Sequence, residues 1–515
     1  MSGISLATIL PLTAYRSPLT TLTSLDLAVI ALYFLVTIGI GIWATRRQTT
    51  AADYFLGARN LPGWAVLLSI VATETSALTV ISVPGIGARG DLSFLQLAFG
   101  FALGRTGVAI WLLPGYFRGD QETAYARLES RFGANTRRLV SVVFLATRFL
   151  GDGVRIFAGA IPLALVTGWS IPLAILTMGV ATLVYTYFGG LKAVIWADVV
   201  QLAVYLAGGI AALLIAWQLA GGWTNTLDAA ASAGKLRILN PAFDFTTTYS
   251  LIGGLIGGAL LSAASHGTDQ LIVQRLLATR SLHDARTALV GSGLVVILQF
   301  FLFLLIGSAI WSAGLAPERM AADQIFPQFI IDHLPTGLAG LVVAGILAAA
   351  MSTISSSINA LASSMTHDIY AGLTGRREPA HLLRIGKLFS AIWGVGLIGG
   401  ALFFHFYASG NDTPIVVLAL SIASITYGAL LGTYLLAARW PRAQSRDVVG
   451  SVAVTVIVML LVVFAKQLSA VPGLSWLAPV SRLAWPWYVP LGTLLAVSTG
   501  IALSYLPAAT PTGRR

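Results

Sequence analysis

Long runs of apolar residues follow one another along the whole chain, separated by short segments that hold most of the charged residues. A helix needs about 20 apolar residues to cross a bilayer. The runs predict thirteen such spans, at residues 25–45, 64–87, 92–113, 139–166, 171–188, 194–219, 250–272, 288–313, 338–365, 385–407, 413–437, 448–465 and 485–506. This pattern predicts an all-α polytopic membrane protein.

Two of the predicted spans have polar residues in their middle. Span 64–87 holds one acid and four hydroxyl groups within residues 69–76, and span 250–272 has four glycines ahead of the polar stretch 262–270. Two interrupted helices at corresponding positions of two five-helix halves, 64–219 and 250–437, indicate an inverted-repeat transporter with a site at the membrane midplane. The alternative is that both are glycine-rich packing helices.

The span 338–365 carries the densest set of hydroxyl groups. On a helix, Ala349, Ser352, Thr353 and Ser356 share one face. A hard monovalent cation such as Na⁺ needs several oxygens in place of its water, and hydroxyls together with the free carbonyls of an unwound helix supply them. The alternative is small-residue packing, with each hydroxyl bonded back to the preceding turn.

The composition agrees with a membrane location. Of the 515 residues, 57% are hydrophobic and 10% are charged, whereas soluble domains carry about 25% charged residues. Cysteine is absent, and the chain has no P-loop to bind ATP, no H-E-x-x-H and no G-x-S-x-G motif. These observations argue against an ATP-driven pump and against an enzyme.

The basic residues predict the orientation. One set of alternate loops holds 21 Lys and Arg and the opposite set holds 7, and cytoplasmic loops carry the excess. We therefore expect the N-terminal segment 1–24 outside the cell and the tail 507–515 in the cytoplasm. The net charge of +11 is explained by this asymmetry, without any nucleic-acid partner.

Four segments, in this order along the chain, resemble the sodium:solute symporter family, which includes sodium/glucose, sodium/proline and sodium/sialic acid cotransporters. They are DYFLGARNLP (53–62), GGLKAVIWADVVQ (189–201), DQLIVQR (269–275) and THDIY (366–370). The resemblance runs from about residue 25 to 440. It implies a LeuT-type 5+5 inverted repeat, with one extra N-terminal helix at 25–45 and two C-terminal helices within 448–506.

The resemblance also implies a main sodium site. Its ligands would be the backbone carbonyls of Ala72, Thr75 and Ala349 and the hydroxyls of Ser352 and Thr353.

Some members of the family hold a second sodium. Its ligands would match Asp198, Ser352, Ser355 and Ser356 here. The alternative for Asp198 is that it anchors its helix or pairs with a nearby basic residue.

The substrate positions depart from the sugar-transporting branch. Its asparagine and glutamine contacts correspond here to Glu74 and Thr79, and its tyrosine and tryptophan gate corresponds to Ser265 and His266. Glu74 either accepts hydrogen bonds or a proton at the solute site, or it only ties down the unwound segment.

Asp152 and Arg155 lie three residues apart in the span 139–166, so they can meet on one helix face. They form either a structural ion pair, or a site where Arg155 receives a substrate carboxylate, as the resemblance to the sialic acid branch implies.

The sequence thus predicts a sodium-coupled symporter of the inner or plasma membrane that imports a small organic solute by alternating access. Its partners would be the solute, Na⁺ and the lipid bilayer. A proton-coupled transporter of the same fold, with Glu74 or Asp198 as the carrier, is one alternative. A transporter-like sensor is another, although no signalling module follows the last span before Arg515.

Overall fold

The structure is a computed structural model, and it describes residues 22–44, 48–119, 121–408 and 415–507. Within these ranges the only strand-like pairing is an isolated bridge between Leu61 and Thr279, so the prediction of an all-α protein is confirmed. The predicted outer segment 1–24 lies outside the described residues except for its last three, and the predicted tail 507–515 does so except for Pro507.

Fourteen longer or site-forming helices organise the described chain. They are α1 (Ser24–Ala44), α2 (Gly63–Glu74), α3 (Ala77–Arg89), α4 (Leu95–Trp111), α5 (Ala134–Thr167), α6 (Ile171–Leu219), α7 (Gly258–Gly267), α8 (Gln270–Leu277), α9 (Leu282–Ser312), α10 (Leu338–Ser364), α11 (Pro379–Ala408), α12 (Ile415–Arg439), α13 (Ser445–Val463) and α14 (Tyr488–Ser504).

Short helical elements join or extend these helices. The short α-helices are Ala51–Leu56, Leu113–Tyr116, Ala126–Phe132, Trp223–Ser232, Ala322–His333, Ala371–Thr374 and Ala465–Leu468. The π-helical turns are Gly253–Gly257 and Met365–Tyr370, and the 3₁₀ turns are Gly57–Arg59, Leu92–Phe94, Ser475–Leu477, Val480–Arg482 and Trp485–Trp487.

Nine helices in the described ranges are long and apolar enough to cross a membrane. In addition, α2 and α3 pass the same test together as one span bent by 69°. The predicted number of thirteen spans therefore stays a prediction.

The spans predicted at 171–188 and 194–219 form one 49-residue helix, α6. A straight helix of this length would measure about 74 Å, more than twice the hydrocarbon core of about 30 Å. The helix changes direction at Gly190, whose backbone is left-handed (φ 57°, ψ −155°). A side chain there would overlap the carbonyl oxygen of Tyr54, so both the backbone and the packing require glycine.

The outward-facing surface is apolar and the interior contains charges. Leu35, Trp111 and Leu298 are 69%, 70% and 68% exposed, whereas Arg105 and Asp198 are fully buried. Lipid tails rather than water suit such an outer surface, and polar groups inside must find partners within the protein. The chain is therefore an integral membrane protein.

The helices pack in two main groups. In the first, α9 packs against α2, α3 and α4, and α4 packs closely along α7. In the second, α10 packs along α6 and contacts α5 and α11, with α1 against α6 and α10. The first group contains both interrupted helices, and the second contains the hydroxyl-rich helix α10.

Glycines set the close approach of α4 and α7. A Cβ atom at Gly104 would overlap the carbonyl oxygen of Ala259, so the two backbones are in direct contact. Small residues permit this close packing in membranes, where the hydrophobic effect does not drive helices together.

We predict that Gly104→Ala destabilises the protein by about 1–3 kcal/mol, because the added methyl group overpacks the α4–α7 contact. Gly399→Ala is the matched control, since a Cβ atom on this α11 residue meets nothing within 4 Å. Unfolding of the two purified variants in detergent measures the difference. Equal stability of the two variants would contradict direct backbone packing at Gly104.

Candidate functional site

The helix pair α2 and α3 is interrupted at Thr75 and Ser76. Both residues have extended backbones, with φ/ψ of −82°/103° and −88°/165°. The side chain of Ser76 caps α3 by accepting the backbone N–H of Thr79. Because α2 ends at Glu74, the carbonyls of residues 72–75 have no following helical N–H to bind. Two of them, at Ala72 and Thr75, are predicted main-site ligands.

The hydroxyl-rich face of α10 lies against this interruption. Ala349, Ser352 and Thr353 are all buried. The Ser352 hydroxyl donates to Asp198 Oδ1 over 2.7 Å, and the Thr353 hydroxyl donates to the Ala349 carbonyl over 3.3 Å. This hydrogen bond of Thr353 to the preceding turn of its own helix is the arrangement expected if the hydroxyls of α10 serve only small-residue packing. The two helices meet where Thr73 Oγ1 lies 3.1 Å from Ser356 Oγ, one turn beyond Ser352.

A cluster around Asp198 on α6 occupies the predicted second sodium position. Asp198 accepts hydrogen bonds from Ser69 over 2.5 Å and from Ser352, and forms an ion pair with Arg275 of α8 at 3.2 Å. Arg275 also donates to Ser356 and to Ser69. A guanidinium group therefore lies among the oxygens that the sequence suggested for a cation.

Arg275 follows the predicted span 250–272 and is one of the 21 basic residues counted above in loops, but it is a helical residue that is 1% exposed. Its charge compensates the buried Asp198 rather than marking a loop. Ser355 does not join the cluster, because its hydroxyl donates to the Ser352 carbonyl at 3.1 Å.

Glu74 points towards α4 and α7 of its own helix group. It forms an ion pair with Arg105, which also donates to Ser292 over 2.7 Å and to Ser262 over 3.4 Å. Nε2 of His266 lies 3.7 Å from the Glu74 carboxylate, without a hydrogen-bond partner. This arrangement matches the structural alternative for Glu74, in which the carboxylate ties down the unwound segment.

The side chains of Ser265 and Thr79, two other predicted solute residues, contact residues that are close to them in the sequence. Ser265 lies 2.9 Å from Nδ1 of the neighbouring His266, and the Thr79 hydroxyl lies 3.3 Å from Ser76. The sequence interpretation missed Arg105 as the partner of Glu74. Its position in the middle of span 92–113 was the signal, because an arginine inside a span needs a nearby partner.

The pair Asp152 and Arg155 on α5 belongs to a larger polar network. Asp152 Oδ1 lies 3.3 Å from Arg155 and 3.5 Å from Arg148, and its Oδ2 accepts the Ser357 hydroxyl of α10. Arg148 also pairs with Asp269, the residue that caps α8. This network joins α5 to the interruption between α7 and α8.

A small cavity of about 20 Å³ lies within this network, between α5, the start of α8 and α12. Its volume suffices for about one water molecule. Arg155, Asp269 and Tyr427 are among its lining residues. Arg155 is the most accessible of the charged groups, with 26% of its side chain exposed.

The buried ion pair of Asp198 and Arg275 yields a stability prediction. Removing one partner leaves an uncompensated buried charge, so we expect Arg275→Met alone to lower the unfolding free energy by about 3–5 kcal/mol. The double variant Asp198→Asn/Arg275→Met should recover most of this loss.

Denaturation of the purified variants in detergent provides the measurement. A double variant that is no more stable than Arg275→Met would contradict mutual charge compensation at this site.

Comparison with known proteins gives consistent matches over most of the chain. The family model of the Sodium:solute symporter family matches residues 54–469. The sodium/sialic acid symporter NanT of Aliivibrio fischeri is 27% identical, over 90% of this chain and 89% of its own length. The sodium-coupled monocarboxylate transporter 1 of Homo sapiens is 30% identical, over 82% of this chain and 70% of its own length.

A solved structure has a similar fold. It is the substrate-bound outward-open state of a Na⁺-coupled sialic acid symporter, with a TM-score of 0.82 and 25% sequence identity, over 94% of this chain and 98% of that chain.

Proposed function

The chain belongs to the sodium:solute symporter family and is a sodium-coupled symporter, and we propose that it imports a small carboxylate-bearing solute by alternating access. The observation that carries the ion-binding part of this proposal is the contact between the free carbonyl end of α2 and the hydroxyl face of α10.

The proposed main-site ligands are all neutral oxygens: the carbonyls of Ala72, Thr75 and Ala349 and the hydroxyls of Ser352 and Thr353. Neutral oxygens suit a monovalent cation, because they replace its water without adding buried negative charge. The Thr353 hydroxyl, now bonded to Ala349, would turn its lone pairs towards the ion.

A second sodium at Asp198 would have to displace Arg275, which already neutralises this carboxylate. We therefore propose that transport is coupled to one sodium ion. One Na⁺ and one singly charged carboxylate together carry no net charge, so the sodium concentration gradient rather than the membrane potential would drive transport. A tenfold sodium gradient supplies about 1.4 kcal/mol, which corresponds to a roughly tenfold accumulation of solute.

The proposed orientation has the N-terminus outside and the C-terminus in the cytoplasm, because one set of alternate loops holds 21 basic residues, or 20 without the buried Arg275, against 7 in the other set. The proposed location is the inner or plasma membrane. The proposed orientation also places the C-terminal end of α10, and residues 365–370 that follow it, on the cytoplasmic side.

The solute site would include Arg155, on two grounds. First, the carboxylate oxygens of Asp152 and Asp269 already accept hydrogen bonds, whereas Arg155 forms one hydrogen bond to the described part of the chain, through Nη1 to Asp152. Arginine has five N–H donors and binds carboxylates in a bidentate manner. Second, two of the relatives above are named for sialic acid and monocarboxylate transport.

The cavity beside Arg155 now has room for about one water molecule. Solute binding would therefore require α5, α8 and α12 to separate, which is the movement that alternating access supplies.

We predict that Ser352→Ala and Thr353→Ala abolish sodium-stimulated solute uptake, because each removes one of five proposed ligands. Uptake into proteoliposomes, with and without sodium at a fixed membrane potential, is the measurement. Thr433→Ala is the control, since the hydroxyl of this buried α12 residue donates to the Ala429 carbonyl of its own helix. Unchanged sodium dependence in both site variants would refute the site.

We predict that Arg155→Met weakens binding of a carboxylate solute at least tenfold, because a charge-assisted hydrogen bond contributes about 1.5–3 kcal/mol. Arg155→Lys should have an intermediate effect, because it keeps the charge but loses the planar fork. A thermal-shift screen in sodium, with each acid tested beside its amide, first finds the solute.

Arg286→Gln controls for the loss of an arginine elsewhere, since its Nε donates to the Ala109 carbonyl. A solute whose amide binds as tightly as the acid would refute a carboxylate site.

A further inference from the structure

A chain of buried side chains reaches the interruption of α2 from two other helices. Thr75, Gln299 of α9 and Tyr205 of α6 are 1%, 2% and 1% exposed. Gln299 Nε2 lies 2.7 Å from the Thr75 hydroxyl, and the Tyr205 hydroxyl lies 3.0 Å from Gln299 Oε1. None of these contacts involves a charged group.

The direction of every hydrogen bond in this chain is determined. The Thr75 hydroxyl donates its single hydrogen to the Val71 carbonyl over 2.9 Å, so its oxygen can only accept from Gln299. The NH₂ end of Gln299 must therefore face Thr75, and its carbonyl end must face Tyr205, which has to donate. Because each of these hydrogen bonds has one allowed direction, each side chain is held in one rotamer. The Thr75 peptide is held in place together with its side chain.

The far end of this chain is fixed against α10. A Cβ atom at Gly345 would lie 2.9 Å from the Cα atom of Tyr205, so the backbones of α10 and α6 touch at this point. Gly345 lies seven residues before Ser352, two turns away on the same face of α10. The contacts from Thr75 through Gln299 and Tyr205 thus return to the helix that carries the proposed sodium-binding hydroxyls.

We propose that Gln299 and Tyr205 are positioning residues for sodium binding: through the Thr75 hydroxyl they hold the Thr75 and Ala72 carbonyls in register with the hydroxyl face of α10. This inference rests on the proposed main sodium site. It assigns a role to two residues that are not themselves proposed sodium ligands.

The position of the carbonyls at the end of α2 affects sodium affinity for a physical reason. The carbonyls of residues 72–75 lack the helical hydrogen bonds that orient carbonyls elsewhere in α2, so other contacts must orient them. Ligands that are already in place bind an ion more tightly, because less conformational entropy is lost on binding. Loss of the chain should therefore weaken sodium binding without removing a ligand.

The experiment is a sodium titration of purified protein with radioactive sodium, in the absence of solute. Gln299→Leu and Tyr205→Phe should each raise the half-saturating sodium concentration by about threefold to tenfold, the range expected for loss of one buried hydrogen bond. The maximal uptake rate at saturating sodium should stay close to that of the wild type, because all five ligands remain.

Tyr434→Phe is the matched control. It removes the hydroxyl of another tyrosine that is 1% exposed, which donates to the Ala124 carbonyl over 2.7 Å at the contact between α12 and the segment before the short helix Ala126–Phe132. It should match Tyr205→Phe in lost stability and leave sodium affinity unchanged. The melting temperature of each variant without sodium separates stability from ion binding.

Thr75 supplies a second test. Thr75→Val removes the hydroxyl and should weaken sodium binding about as much as Gln299→Leu does. The double variant Thr75→Val/Gln299→Leu should be no weaker than either single variant, because all three break the same chain.

Two outcomes distinguish this inference from the proposed function. If Gln299→Leu and Tyr205→Phe bind sodium like Tyr434→Phe while Ser352→Ala has lost binding, the positioning role is refuted and the sodium site stands. If the wild type binds no sodium, or Ser352→Ala and Thr353→Ala bind it normally, the sodium site itself is refuted and the inference with it.

Discussion

A helix that ends inside an apolar core leaves carbonyl groups without partners, and the functional centre of this protein is built on that constraint. In lipid, an unsatisfied backbone group costs several kcal/mol, so the interruption at Thr75 and Ser76 persists only because its surroundings supply partners. Ser76 caps the following helix, Gln299 binds the Thr75 side chain, and Arg105 holds Glu74. The carbonyls of residues 72–75 still lack helical N–H partners, and a cation can bind to such carbonyls.

Two ion pairs of the described core lie in different places, and the location of each pair indicates what it does. The Glu74 and Arg105 pair lies within the group formed by α2, α4, α7 and α9 and stiffens it. The Asp198 and Arg275 pair instead joins α6 to α8, and Ser69 brings in α2. Because a separated buried charge is costly, movement between the helix groups must exchange these contacts for water or other partners.

Much of the architecture follows from periodicity and composition, because the positions of the spans, the interrupted helix at 69–76 and the shared face of Ala349, Ser352 and Thr353 are local properties of the chain. Pairings across helices are not local. Glu74 and Arg105 are 31 residues apart, and which sides of α2 and α4 face each other depends on packing by Gly100 and Gly104 against α7 and the turn before it.

The count of basic residues wrongly included Arg275 as a loop residue, for a related reason. A basic residue near the predicted end of a span resembles a loop residue until the short helix α8 is seen to run inside the protein. Gln299 is the only amide in the predicted span 288–313, and a lone polar residue in such a run is the signal that would have indicated its role. Its partners on α2 and α6 required the structure.

The central claim is that sodium binds between the end of α2 and the hydroxyl face of α10. The most direct measurement is an experimental high-resolution structure of the purified protein in sodium, compared with one in choline. The account predicts a density peak coordinated by the carbonyls of Ala72, Thr75 and Ala349 and the hydroxyls of Ser352 and Thr353 in sodium, and its loss in choline, with Arg275 still bound to Asp198. A sodium-dependent peak at Asp198 with Arg275 displaced, and none between α2 and α10, would contradict it.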